Sequence, residues 1–199
     1  PIYITISKAV PIALTVVFGF CAVAMIGIMV YFSCIDTKTD LGNFERIIRF
    51  NDIWGTHRGF MWIRSIWIFG DASFIEKLFG VGPDMFYSAF SPYFDDLSKY
   101  GDSSTNAAHN EYLNYLITIG ITGLLSYLAI VCGTIKNAVK YAKENPMLIA
   151  CVSAVICYAV QSVVNLYQPI TTPLFFIFIA LCEAFVRNAK AEKSAVSAV

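Results

Sequence analysis

Three uncharged apolar runs govern what this chain can fold into: Val10 to Phe32, Tyr112 to Ile135 and Met147 to Leu166, of 23, 24 and 20 residues. At about 1.5 Å per residue, a helix of that length crosses a bilayer core of about 30 Å. A fourth run, Pro169 to Val186, is shorter and carries one charge, Glu183. Charged residues make up only 14% of the chain, where a soluble domain carries roughly 25%. The expected fold is therefore all-α: a polytopic transmembrane helix bundle with spans at 10–32, 112–135, 147–166 and 169–186.

The cations orient this bundle. Lys136, Lys140 and Lys143 crowd the link between the second and third spans, Lys8 precedes the first, and Arg187, Lys190 and Lys193 follow the last. Cytoplasmic loops collect such residues, so four spans place both termini and this link inside. The loop 33–110 is then extracytoplasmic, and at over about 60 residues its own charges do not count against that side. Net charge is zero, which offers nothing to nucleic acid. The six cysteines show neither disulfide-framework nor metal spacing. Pro1 is preceded by no initiator methionine, and the first span lacks the charged region of a cleaved signal. The chain reads as the C-terminal part of a longer protein, forming a single membrane domain over 1–199.

Within the loop, Thr56 to Gly70 forms an amphipathic pattern with Met61, Trp62, Ser65, Ile66 and Phe69 on one face, suited to the membrane interface. A glycine turn follows at Gly80 to Asp84, then the aromatics Phe86, Tyr87, Phe90, Tyr93 and Phe94, then a polar crown, Asp95 to Thr105, expected to be flexible. Asn106 is the expected N-cap of the second span, which places His109 in its first turn. Gly120 and Gly123 are expected to admit a neighbouring helix. The tail from Ala189 to Val199 is expected to be mobile.

A histidine in a first helical turn feels the positive end of the helix dipole, which favours the neutral imidazole that a general base needs. The plainer role for His109 is an interfacial residue or cap partner. Arg58 and Arg64 sit on the amphipathic segment, where a guanidinium can grip phosphate oxygens in a fork; snorkelling to headgroups is the plainer role for Arg64. Arg46 and Arg49 are expected only to solvate their segment. Asp95-Asp96 lacks further ligands for a cation, so no metal site is assigned. Glu183 is the one ionisable residue inside a span, which disfavours a coupled transporter. The chain has no phosphate-binding or dinucleotide fingerprint.

The string His109-Asn110-Glu111-Tyr112-Leu113, followed by Ile119-Gly120-Ile121-Thr122-Gly123-Leu124, resembles the C-terminal signature of the bacterial O-antigen ligase and repeat-unit polymerase superfamily. Arg58 with Trp62, then Leu78 to Pro83 and Phe86, is similar to that family's arginine, tryptophan and glycine-rich stretch in the same order. Asn165 through Thr171-Thr172-Pro173 is similar to its short outer turn before the last helices. The resemblance spans about 130 residues. Two departures stand out: Thr56-His57 where relatives often carry a serine-glycine pair before the arginine, and Glu76-Lys77 where they often carry proline.

The resemblance implies a glycosyltransferase of the bacterial cytoplasmic membrane that builds surface polysaccharide (O-antigen, capsule or exopolysaccharide) from an undecaprenyl-diphosphate-linked glycan. It implies His109 and Arg58 as catalytic residues, and Arg64, Trp62, Asn110 and Gly82 as substrate-binding. Partners would be the lipid-linked donor, a glycan or lipid acceptor and membrane lipids. Diphosphate is already a good leaving group, so no cofactor is called for. Repeat-unit polymerisation is the leading reading. Ligation to a lipid A core, or non-catalytic binding or transport of a lipid-linked glycan, are the alternatives.

Overall fold

The structure, a computed structural model, describes residues 9–197, with side chains from 16 to 195. Lys8 and Pro1 lie outside the described residues. Every regular element among those residues is helical, and the chain divides into two compact units, one ending at Phe60 and the other beginning at Met61.

In the first unit, α1 (Ala9–Val30) is apolar all round, and Val16, Phe18, Phe20, Val23 and Ile26 are each more than half exposed. A helix without a polar face belongs in a protein core or in a membrane. It ends in one wider turn, Tyr31–Ile35. Arg49, just past α2 (Glu45–Ile48), closes that end: its guanidinium donates to the carbonyls of Phe32 at 3.1 Å and Thr39 at 2.7 Å, and pairs with Glu45 at 3.1 Å. Arg49 is thus a structural clamp and not the solvating residue expected: it supplies donors to a carbonyl at the end of a helix, which has no partner within it, and to one in the loop that follows.

α3 (Trp54–Asp71) begins with a kink. Gly55, Thr56 and His57 all take left-handed backbone, with φ of 59°, 57° and 69°. That conformation suits glycine and is strained for a β-branched threonine. The departure at Thr56-His57 therefore keeps a glycine-like backbone without the glycine. On the part of α3 beyond Met61, the buried side is set by Met61 and Ser65, while Ile66 is 55% exposed and so leaves the expected face.

The second unit packs its last three helices, α8 (Gly120–Tyr141), α9 (Met147–Gln161) and α10 (Thr171–Ser197), into an antiparallel bundle. Ala138, Leu148, Cys151, Val152, Cys182 and Val186 fill one layer, and Tyr127, Val131, Val155 and Phe175 the next. Tyr158 stacks on Phe175 with ring centres 4.3 Å apart. Among the described residues two helices, Val16–Ile35 and Gly120–Tyr141, are long and apolar enough to cross a membrane. The third expected span stops at Gln161, after 15 residues. The tail is helical through Ser197, with Ala189 buried and Lys193 paired to Glu144, contrary to the mobile end expected.

The expected second span is broken. α7 (Glu111–Thr118) ends at Ile119, and Gly120, at φ 68°, starts α8 in a new direction. The break strands the carbonyls of Ile117 and Thr118, and the glycine turn after α4 (Phe74–Phe79) supplies their donors: Val81 N–H to Ile117 and Gly82 N–H to Thr118, both at 3.0 Å. Thr122 Oγ1 returns a bond to the Leu78 carbonyl at 2.7 Å. A Cβ on Gly80 would strike the Thr118 carbonyl, and one on Gly120 the Leu78 carbonyl. Gly120 thus does admit a close neighbour, the C-terminal end of helix α4 and the turn that follows it. At Gly123 the nearest atoms to an added Cβ belong to the side chain of Ile119, in its own segment.

α4 itself is fixed by a capping box between Ser73 and Glu76, whose hydrogen bonds hold the Glu76 carboxyl below its ordinary range. The polar crown is also more ordered in its packing than expected. Its first residues lie in α6 (Phe94–Ser98), which buries Leu97 completely, as α5 (Phe86–Phe90) before it buries Phe86 and Phe90.

Candidate functional site

α7 positions the site. Its N-cap is Asn110, whose side-chain oxygen accepts from the Leu113 N–H at 3.0 Å, and not Asn106 as expected. His109 consequently stands just before the helix, not in its first turn, and takes left-handed backbone at φ 50°. The two preceding residues, Ala107 and Ala108, are buried and anchor this turn. His109 lines a polar cleft of about 480 Å³ together with Asp102, Ser104, Thr105 and Asn106. Met61, Tyr87 and Leu97 close its apolar side.

A second cleft, of about 420 Å³, lies next to it, and Asn106 borders both. Its walls come from the glycine turn (Pro83, Asp84), from α7 (Asn114, Tyr115, Thr118) and from the turn into α10 (Tyr167, Thr172). The segment similar to the family's short outer turn thus reaches the site through Thr172.

Behind the second cleft sits Glu111, 1% exposed. Three hydroxyls donate to its carboxylate: Tyr115 at 2.8 Å, Tyr158 at 3.1 Å and Ser162 at 2.8 Å. Its backbone N–H donates to the Ser162 carbonyl at 2.9 Å. Thr172 Oγ1 lies 2.6 Å from the Tyr158 hydroxyl and accepts from the Gln168 N–H. With the Tyr158 proton on Glu111, Thr172 is left as the donor to Tyr158. One polarised chain then runs from Gln168 to the carboxylate and ties α7, α9 and α10 together. A buried carboxylate needs such donors, since stripping its water without replacement is very costly.

Of the residues expected in the site, His109 lines a cleft. Asn110 commits its side-chain oxygen to capping, and Gly82 uses its N–H to close the break at Thr118. Arg64 lies over the Trp67 ring at 4.7 Å and acts electrostatically on Asp96, whose carboxyl Lys99, above all, holds below its ordinary range. Neither Arg64 nor the half-buried Trp62 borders the two clefts. Arg58, in the first unit, folds one guanidinium nitrogen back to the Gly55 carbonyl at 3.3 Å, while its Nε is buried without a hydrogen-bond partner. Sequence reasoning passed over Glu111 and Asn114. The signal was present: Asn110, Asn114 and Thr118 recur every fourth residue through an apolar run, which places one polar stripe on α7.

The family model described as O-antigen ligase matches residues 2–128. The match takes in the kink at Gly55, Arg58, the glycine turn, His109 and the break at Gly120. No curated protein and no solved structure matches the chain. With well over half of its length matched, and with the family's glycine turn and His-Asn string meeting at the two ends of α7, the chain belongs to the O-antigen ligase family.

Proposed function

We propose that the chain is a membrane glycosyltransferase that moves or polymerises a glycan carried on undecaprenyl diphosphate, at the outer face of the bacterial cytoplasmic membrane. The observation that carries this reading is His109: it lies in the family-matched region, on a polar cleft at the head of α7. The acceptor hydroxyl oxygen attacks the anomeric carbon, and its proton passes to His109. The bond from that carbon to the diphosphate oxygen breaks on the opposite face, so the configuration inverts. Arg58 stabilises the charge that accumulates on the departing diphosphate. Its unpartnered Nε supports a guanidinium kept for a ligand.

The four spans and the side of the loop belong to the same proposal. The arrangement of cations supports them. Lys193 pairs with Glu144, and Lys140, Lys190 and Lys193 all lie within 5.4 to 5.7 Å of the Tyr141 ring centre, at the bundle end remote from Glu111. A cationic end of that kind is the cytoplasmic one. Ligation to a lipid A core is the second reading, favoured by the family's description. Supplying a defined lipid-diphosphate glycan with candidate acceptors, and weighing the products by mass spectrometry, separates the two. Glycan extended on the lipid means polymerase, and glycan joined to lipid A core means ligase. A wild-type protein that binds the donor but forms no product with any acceptor would leave binding or transport.

A further inference from the structure

We propose that the second cleft, walled by Asn114, Tyr115, Thr118, Tyr167 and Thr172, is a subsite for a sugar ring and that Asn114 is its specificity-determining residue. The inference rests on the glycosyltransferase reading and adds where the sugar sits.

The first observation is an orphan. Asn114 is 6% exposed, its Oδ1 is wholly buried, and no donor reaches that atom. Buried side-chain oxygens in folded proteins nearly always have a partner, so an orphaned acceptor on a side chain that lines a cleft points to a ligand that supplies the donor. The second observation is the direction of the other hydroxyls. Tyr115 spends its proton on Glu111 and Thr118 spends its own on the Asn114 carbonyl at 2.8 Å. Thr172 spends its proton on Tyr158 when Tyr158 donates to Glu111. What these groups have left to offer a ligand is lone pairs. Tyr115 and Thr172 are held from behind by the Glu111 network, and the amides of Asn106 and Asn114 with the Tyr167 hydroxyl bring donors beside these acceptors, so the cleft suits a ligand rich in hydroxyls, which both donate and accept.

The third observation is charge. Among the described residues no lysine, arginine or histidine lines this cleft, whereas Asp84 does. A diphosphate or an anionic headgroup would find no cation here and one like charge, so the anionic part of a lipid-linked donor is excluded. Phe86, Tyr115 and Tyr167 add aromatic surface for the apolar face of a pyranose. The volume, about 420 Å³, is within the range of small-ligand sites. Neutral, donor-rich and ring-shaped describes a sugar. Asn106, shared with the His109 cleft, puts that ring beside the proposed base.

The test compares ligands with and without the sugar, on the full-length protein in lipid nanodiscs. The probes are the lipid-linked glycan extracted from cells deleted for this protein, undecaprenyl diphosphate without sugar, and the glycan released from its lipid by mild acid. Asn114→Leu keeps the shape and removes the acceptor. It is expected to weaken the lipid-linked glycan about tenfold, to the level of the bare lipid, with the bare lipid changed less than about twofold. Thr118→Val, an independent variant, is expected to weaken the glycan lipid by about threefold. Displacement of the lipid-linked glycan by released glycan places the donor sugar in the cleft. Binding of released glycan beside it, lost in Asn114→Leu, places the acceptor sugar there. Equal weakening of both lipids, or none of either, overturns the subsite while leaving the glycosyltransferase reading intact. A wild-type protein that does not distinguish the glycan lipid from the bare lipid overturns both.

Discussion

The two ends of the α8–α10 bundle each carry a glutamate, and they use it in opposite ways. Glu111 is buried under α9 and α10 and satisfied by three hydroxyls. Glu144 is at the surface and meets the Lys193 ammonium. The first holds three helices in one register and cannot lose its partners without leaving polar groups stranded. The second holds a flexible pair that water can replace. The difference places the denser hydrogen-bond network at the end with the clefts and leaves the lysine end open to solvent.

The largest break in that comparison is expected from Glu111→Ala, which strands three hydroxyl donors at once. It should cost about 3 kcal/mol or more, read as a large fall in the thermal unfolding midpoint in detergent. Gly120→Ala comes next. It forces a side chain into left-handed backbone and against the Leu78 carbonyl, at about 2–4 kcal/mol, and it should open the glycine turn to hydrogen exchange at Val81 and Gly82. Tyr158→Phe cuts only the link between Glu111 and Thr172, and about 1 kcal/mol is expected from the same midpoint. Glu144→Gln should leave the midpoint unchanged within error, since an exposed pair contributes little.

The Glu144 pair also has a predictable pH dependence. Its hydrogen bond from Lys193 holds the carboxyl below its ordinary range. Any stability it contributes is therefore present above that range and is lost as the pH falls through the lowered value. Salt should weaken the same contribution. A midpoint that instead rose with acid would contradict the pairing.

The long apolar runs and the glycine turn could be read from the chain because each depends on composition or on a local backbone need. The break at Gly120 could not. A lone glycine in an apolar run is compatible with an unbroken helix, and only the arrival of Val81 and Gly82 from far along the chain pays for the stranded carbonyls. The cap of α7 failed for a narrower reason: Asn106 and Asn110 are the same residue type four positions apart, and the chain alone does not say which side chain faces the N–H of Leu113. The shift moved His109 out of the helix yet left it on a cleft. Asn114 and Thr118 were readable as a stripe, but their role depends on the cleft that α10 closes over them. Arg49 could not be read as a clamp, because the carbonyls it holds, of Phe32 and Thr39, lie 17 and 10 residues before it, in the turn after α1 and in the loop beyond it.

The most direct test of the account is glycan transfer from a defined lipid-diphosphate donor in membranes holding equal amounts of wild-type, His109→Ala and Arg58→Ala protein. The account predicts a fall of about a hundredfold or more for His109→Ala, with a comparable fall for Arg58→Ala. Transfer within about twofold of wild type in either variant would contradict the role assigned to that residue.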